Sequence, residues 1–269
     1  MPYRHAHWYI LALFPLAGLA FWQGYLSQFA TASARFHAHG MTATLWLALL
    51  AAQSWTIHHG KRPTHRTIGM LSLVLFPLFL MGGIGIFLGM ADRFAAGSPF
   101  HVMYAPRLVW LDIVGVSGFA YFYYEALRQR RKVHLHSRYL LATAIFLLPP
   151  IFGRLMAIPL GVTGPEDFGK LGTGFQIANA ITAAIAFGLA IRSGKHGRPW
   201  ALAGILTILA ALLYQTVGGL PAWRMLYADA GNLPAAPFAL AAGLAGIAIG
   251  YAGWMVGRRP TAGAGALPA

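Results

Sequence analysis

The stretch "IGMLSLVLFPLFLMGGIGIFLGM", residues 68–90, decides the fold class, because its 23 residues include no charged side chain. About 20 predominantly apolar residues are enough for a helix to cross a bilayer. Only helices and closed barrels satisfy their backbone in lipid, and a run this long and continuously apolar predicts a helix. Seven further apolar runs lie at about 8–29, 41–57, 106–127, 139–162, 174–192, 200–220 and 236–257. We therefore expect an all-α integral membrane protein with about eight transmembrane helices.

The composition of the whole chain agrees with this fold class. The 269 residues are 58% hydrophobic and only 10% charged, whereas soluble domains carry about 25% charged residues. The loops are too short for a soluble domain, so residues 1–269 are expected to form one polytopic membrane domain. Residues 174–257 are rich in small and aliphatic side chains, which favour close helix packing. They are interpreted as a helical scaffold, and residues 36–162 as a four-helix bundle that holds a cofactor.

The net charge of +14 predicts a membrane orientation rather than nucleic-acid binding. Most of the Lys and Arg residues fall in alternate loops and near the C-terminus, and such loops are typically cytoplasmic. We expect a bacterial cytoplasmic membrane protein with both termini in the cytoplasm and no nucleic-acid partner. The sequence "ATASA" at 30–34 is an alternative signal-peptide cleavage site, but an uncleaved first helix is favoured. The loop cations are Lys61, Arg62, Arg66, Arg128, Arg130, Arg131, Lys132, Arg138, Arg192, Lys195, Arg198, Arg258 and Arg259.

The chain has no cysteine, which leaves histidine as the strong ligand for soft metals. With the orientation above, His39 and His101 lie at the outer side, and His65 and His136 lie at the inner side. Each side then has one histidine from each of two helix pairs, as a haem or metal bridging two helices requires. These four histidines are the candidate metal ligands.

Arginine follows both inner histidines, as Arg66 and as Arg138. A guanidinium beside an axial histidine suits a haem propionate, because the two form charge-assisted and often bidentate hydrogen bonds. Both arginines are therefore candidate cofactor-binding residues.

The second apolar run has a polar stripe. His39, Trp46 and Gln53 are spaced by seven residues and share one helix face. An imidazole, an indole and an amide on one face suit the edge of a planar cofactor or a quinone ring. The alternative is that His37 and His39 are interfacial polar residues and that Trp46 faces the lipid or packs in the core.

Two ionisable residues, Asp112 and Arg154, lie inside predicted spans. At 1.5 Å per residue, both are roughly 9–12 Å below the outer surface. A charge at that depth costs on the order of 3 kcal/mol and normally pairs or lines a site. We expect an ion pair between them, close to a bound cofactor.

The stretch from 36 to 155 resembles a largely uncharacterised family of bacterial polytopic membrane proteins. The matching pattern is a His-Gly/Trp/Gln helix, then His-Arg-x-x-Gly, then a His-x-Arg helix start with a deep arginine. More loosely, the arrangement is similar to the membrane cytochrome-b superfamily, whose four-helix bundles hold haem between two histidines. The positions that carry the resemblance are His39, Gly40, Trp46, Gln53, His65, Arg66, Gly69, His136, Arg138 and Arg154.

Three functions are compatible with these features. The first is a b-type haem protein that exchanges electrons with a quinone or a small reductant. The second is a non-haem enzyme or transporter that uses iron, copper or zinc, with a lipid or isoprenoid as the enzyme's substrate. The third is a cofactor-free membrane scaffold or assembly factor, in which the histidines are interfacial.

Overall fold

The computed structural model describes residues 3–258, so Arg259 lies outside the described residues. Within that range the chain is helical and has no β-strand. The α-helices in chain order are α1 (Ala6–Ala20), α2 (Ala34–His58), α3 (Arg62–Ala95), α4 (Pro99–Arg128), α5 (Val133–Ala142), α6 (Leu148–Leu155), α7 (Phe168–Arg192), α8 (Arg198–Gln215), α9 (Pro221–Asp229) and α10 (Ala235–Val256). Short 3₁₀ turns connect several of them.

Among residues 3–258, six helical segments are long and apolar enough to cross a membrane, which confirms the all-α membrane class. Helix α1 has only 15 residues, fewer than the roughly 17 that a span needs. Helix α2 has 25 residues but is not among the six, because polar side chains such as Thr42, Thr44 and Gln53 dilute its apolar run. The six are Arg62–Ala95, Pro99–Arg128, Val133–Leu155, Pro165–Arg192, Arg198–Gly219 and Ala235–Val256.

Two predicted segments differ from the observed ones. The first helix ends at Ala20 rather than near residue 29, because turns around Gly24 lead into a 3₁₀ helix at Leu26–Thr31. The fifth run is broken by a 3₁₀ turn at Thr143–Leu147. Pro149 and Pro150 follow this turn and have no N–H to continue the α-helical hydrogen bonding.

The successive long helices run in alternate directions, so the loops gather at two ends. At one end the hydroxyls of Tyr3 and Ser193 lie 2.6 Å apart. At the same end Arg131 donates to the carbonyl of Arg258 at 3.0 Å. We name this the basic end, because most loop cations lie there. The opposite end contains the α1–α2, α3–α4, α6–α7 and α8–α10 connections.

An aromatic core joins the first half of the chain. Trp46 on α2 is fully buried among Phe76, Phe119 and Tyr123, which belong to α3 and α4. Its indole N–H donates to the Thr143 hydroxyl at 3.0 Å, which ties α2 to the 3₁₀ turn before α6. Helix α10 packs against α3 and α4 through its glycines, and a Cβ at Gly246 would lie 2.8 Å from the Cα of Pro77. These contacts position the helices around the site described next.

Candidate functional site

A cavity of about 610 Å³ opens at the basic end between α2, α3, α4 and α5, with α10 at its edge. This volume is within the range of small-molecule and cofactor sites, about 300–1,000 Å³. We name it the histidine cavity, because three histidines are among its lining residues. The polar residues that line it are Tyr3, Gln53, Ser54, His58, His65, Arg66, Ser72, Tyr123, Arg130, His136 and Ser137.

His65 and His136 line the histidine cavity from different helices, α3 and α5. The Nδ1 of His65 lies 3.3 Å from the carbonyl oxygen of Gln53, and the Nδ1 of His136 lies 2.8 Å from that of Ala126. A carbonyl can only accept, so Nδ1 carries the proton and Nε2 carries a lone pair. Within residues 3–258 neither Nε2 atom has a hydrogen-bond partner. Metal-binding histidines are typically held in this way, by a backbone acceptor at the other ring nitrogen.

Four buried polar atoms around the histidine cavity have no hydrogen-bond partner among the described residues. They are Nε2 of His58, Oε1 of Gln53, Oγ of Ser54 and Oγ of Ser137. The ring of His58 is held by its Nδ1, 2.7 Å from the carbonyl of Ser54. Since buried polar atoms are nearly always paired, this group indicates a place where a polar ligand or water completes the hydrogen bonding.

Gln53 and Trp46 support the cavity in different ways. The Gln53 amide donates to the carbonyl of His65 at 3.0 Å, which fixes the first turn of α3 against α2. Gly69 leaves room for this amide, since a Cβ there would lie 3.1 Å from Gln53 Nε2. Trp46 does not line the cavity and belongs to the aromatic core beneath Tyr123. Of the predicted polar stripe, only Gln53 therefore reaches the cavity.

Only one of the two arginines predicted from the sequence lines the histidine cavity. Arg66 lines the cavity, but Arg138 does not. The Arg138 side chain lies over the Tyr3 ring, with Cζ 5.1 Å from the ring centroid, and donates to the carbonyl of His134. His136 and Arg138 are two residues apart, about 200° around a helix, so they cannot face the same side.

Arg130 takes the second arginine position in the cavity. It donates to the carbonyl of Trp254 at 2.7 Å, and its Cζ lies 4.3 Å from the centroid of the Trp254 ring. Sequence reasoning missed it because a cation in the run "RQRRK" at 128–132 is typical of a cytoplasmic loop. The available indication of this position in the sequence was that Arg130 precedes His136 by six residues, across the turn between α4 and α5.

The two outer histidines do not form a second ligand pair in the described residues. The His39 ring packs on Phe79, with 5.7 Å between ring centroids, and its backbone lies against Gly82 of α3. The Nδ1 of His101 lies 2.9 Å from the hydroxyl of Ser98 at the start of α4. Neither histidine lines the histidine cavity, and no contact between them is recorded among residues 3–258. The expected outer metal site is therefore not assembled.

The predicted ion pair between Asp112 and Arg154 is not formed. The three ion pairs within residues 3–258 are Arg35–Asp92, Arg128–Glu125 and Lys170–Asp167. Arg154 donates to the carbonyl of Pro150 at 2.9 Å, and its Cζ lies 4.4 Å from the centroid of the Phe21 ring. This cation–π contact holds the guanidinium towards the end of α1.

Three or more His, Asp or Glu side chains do not come together as a metal site anywhere between residues 3 and 258. Non-haem enzyme sites typically use three protein ligands. The basic end therefore provides a two-histidine arrangement rather than a three-ligand centre.

Comparison of the chain with known protein families, with curated proteins and with solved structures gives no match. The functional argument therefore depends on the geometry of the molecule itself.

Proposed function

We propose that the protein is a membrane electron-transfer protein that holds b-type haem in the histidine cavity, where His65 and His136 would bind its iron. The observation that carries this proposal is the orientation of the two imidazoles. They lie on different helices, line one cavity of about 610 Å³, and each has its Nδ1 bonded to a carbonyl. This leaves two Nε2 lone pairs for a ligand in the cavity, as an axial pair requires.

The other polar residues of the cavity have distinct tasks in this proposal. Arg66 and Arg130 are the partners for the two propionates, and Arg130 is already held in place by Trp254. Gln53 positions the first turn of α3, and so the His65 ring, through its bond to the His65 carbonyl. When bound, haem would supply one-electron redox chemistry, while the protein sets the axial ligands, hydrogen bonds and burial.

The electron partner that fits this site is a quinone or another small reductant in the membrane. Ser54, His58 and Ser137 present buried polar atoms without partners at the cavity. Quinone carbonyls and quinol hydroxyls can pair with such atoms. The proposal also includes α1 and α2 as bilayer helices, which makes eight crossing segments, and a cytoplasmic basic end.

Optical spectroscopy with single-histidine variants tests the haem assignment. Protein purified from haem-sufficient cells is expected to show a Soret band that His65→Ala and His136→Ala each abolish. His134→Ala is the matched control, because His134 is two residues from His136 but stacks near His196, with 4.4 Å between ring centroids. Added imidazole should restore part of the band in His136→Gly if that variant folds.

A preparation without a Soret band, or a band that survives both substitutions, would show that the haem assignment is wrong. Metal analysis of the same sample then distinguishes the alternatives. Stoichiometric iron, copper or zinc without porphyrin would favour a non-haem enzyme acting on a lipid or isoprenoid.

A second candidate function is quinone binding without haem, and the four unpartnered polar atoms favour it. In that case an organic extract of the colourless protein should contain quinone, and Ser54→Ala with Ser137→Ala should remove it. A colourless protein that contains neither metal nor quinone would favour a cofactor-free scaffold.

A further inference from the structure

A second concave region lies at the opposite end, among helices that the sequence presents as scaffold. It is a groove of about 1130 Å³ between α4, α7 and α8. Arg107 and Arg224 line its rim, and Gln176, Asn179 and Tyr214 line its interior. We name it the arginine groove.

The two arginines of the groove have no acidic partner within residues 3–258. Arg107 makes long hydrogen bonds to the carbonyls of Tyr214 and Gln215, at 3.4 and 3.5 Å, and its Cζ lies 5.9 Å from the centroid of the Tyr214 ring. Arg224 donates one N–H to the carbonyl of Val102 at 2.9 Å. Each guanidinium has five N–H donors, so most of them remain for an anion. Phosphate and carboxylate are the groups that this planar fork matches best.

The position of Arg107 is determined by close backbone packing. A Cβ at Gly218 would lie 2.7 Å from the Arg107 Cα, and one at Gly219 would lie 2.8 Å from its Nη2. The 3₁₀ turn Val217–Gly219 therefore rests directly on Arg107. A cation held in this way is preorganised for a ligand, unlike one on a freely moving surface chain.

Two buried polar side chains lie deeper in the groove. Tyr214 is 2% exposed and Asn179 is 4% exposed. The Tyr214 hydroxyl and the Asn179 Oδ1 have no hydrogen-bond partner among the described residues. The Asn179 amide nitrogen donates to the carbonyl of Phe175 at 2.7 Å, which identifies Oδ1 as the free acceptor. A hydroxyl and an amide oxygen that both line the groove and lack partners indicate a ligand with polar atoms below its anionic group.

The groove is long and its far part is apolar. It follows α7 from Gly169 to Ala183, a distance of about 21 Å at 1.5 Å per residue. This is most of the hydrocarbon thickness of a bilayer, about 30 Å. Ala180, Ala183 and Ile208 line its inner part, beside and beyond Asn179. A small anion would occupy only the rim, whereas an apolar chain would fill the remainder.

We propose that the arginine groove is a specific site for an anionic amphiphile. The phosphate or carboxylate head lies between Arg107 and Arg224, a polar linker lies at Tyr214 and Asn179, and an apolar chain follows α7 and α8. The inference does not depend on the haem proposal, because the two sites lie at different ends of the molecule and share none of their lining residues.

Native mass spectrometry of delipidated full-length protein in neutral detergent tests this site. Dioleoylphosphatidylglycerol is expected to bind one to one, about tenfold more tightly than dioleoylphosphatidylcholine, whose head is zwitterionic. The double variant R107Q/R224Q should lose this preference. R93Q is the matched control, because Arg93 lies at the same end but outside the groove, over the Phe36 ring.

A second variant separates an amphiphile from a free anion without removing any charge. Ala180→Phe narrows the apolar part of the groove and should weaken phosphatidylglycerol binding about tenfold. Inorganic phosphate should bind far more weakly than the lipid. Inorganic phosphate binding as tightly as the lipid, and unaffected by Ala180→Phe, would overturn the proposal in favour of a small-anion site. Equal binding of both lipids, insensitive to the arginines, would overturn it in favour of ordinary annular lipid.

Discussion

The histidine cavity and the arginine groove accommodate polar side chains within a membrane protein in different ways. In the cavity, backbone carbonyls hold the imidazoles of His65 and His136 and leave neutral lone pairs directed to a ligand. In the groove, Arg107 and Arg224 carry positive charges that no acidic side chain within residues 3–258 neutralises. A neutral ring can lie at a core-facing position at modest cost, whereas a permanent charge must stay near water or meet an anion. The side-chain chemistry thus gives the two sites different polar character.

The largest expected effect on stability comes from a substitution in the aromatic core beneath the histidine cavity. Trp46→Ala should lower the free energy of unfolding by about 3–5 kcal/mol, because it leaves a void among Phe76, Phe119 and Tyr123. Unfolding in mixed micelles measures the change. Trp8→Ala is the control, since Trp8 is 64% exposed. A loss of similar size for both tryptophans would contradict the assignment of Trp46 to the core.

A smaller effect is expected where the backbone packs on the arginine groove. Gly218→Ala should cost about 1–3 kcal/mol, because its Cβ would collide with the Arg107 backbone. The same variant should weaken phosphatidylglycerol binding while the spectrum of the histidine cavity stays unchanged. Gly115→Ala is the control, as no atom lies within 4 Å of a Cβ there. Unchanged lipid binding by Gly218→Ala would show that the turn does not position Arg107.

The two glutamines at these sites allow a direct comparison. Gln53→Leu should lower stability by about 0.6–1.7 kcal/mol, the range for interhelical hydrogen bonds in membranes, because the 3.0 Å bond to the His65 carbonyl is lost. Gln176→Leu should cost less, since its bonds to Ala211 and Gln215 are 3.3 and 3.4 Å long. Both are measured by unfolding in mixed micelles. The reverse order would mean that Gln53 does not fix the start of α3.

The smallest expected effect is a pH dependence that arises from His196 at the basic end. Partial burial and the charge of His134, with smaller contributions from Arg138 and Lys195, lower the pKa of His196. The unfolded chain then takes up a proton near pH 6.5 that the folded protein takes up only at lower pH. This contribution to stability is therefore complete above about pH 6.5 and decreases as the pH falls from there towards the folded pKa.

Thermal unfolding between pH 8 and pH 5 checks this pH dependence. The variant His196→Gln should flatten the profile slightly. Phosphatidylglycerol binding at the arginine groove should change little over the same range, because arginine does not titrate there. A profile that is identical in wild type and His196→Gln would show that His196 does not contribute to the pH dependence of stability.

The sequence by itself determined the membrane fold class and indicated that His65, Arg66 and His136 lie at one end of the molecule. Long uncharged runs can only be helices in lipid, so the class follows from composition and length alone. His65, Arg66, Gln53 and His136 were also identified from sequence, and the structure brings all four to one cavity. They lie near helix ends whose connections are short, so alternation of the helices is enough to place them at one end.

Only the tertiary structure decided which side chains within each end meet. Arg138 lies on the wrong side of α5, Arg154 turns to Phe21, and Arg130 enters the cavity instead. The arginine groove joins Arg107 on α4 to Arg224 on α9, which are far apart in the sequence, through the packing of α4, α7, α8 and α9. Apolar periodicity specifies that a helix is buried but not its rotation or its neighbours, because lipid and protein interior are nearly equally apolar. The rotation and the neighbours of each helix depend on small-residue contacts such as Gly82 on His39 and Gly218 on Arg107. Only the assembled chain defines these contacts.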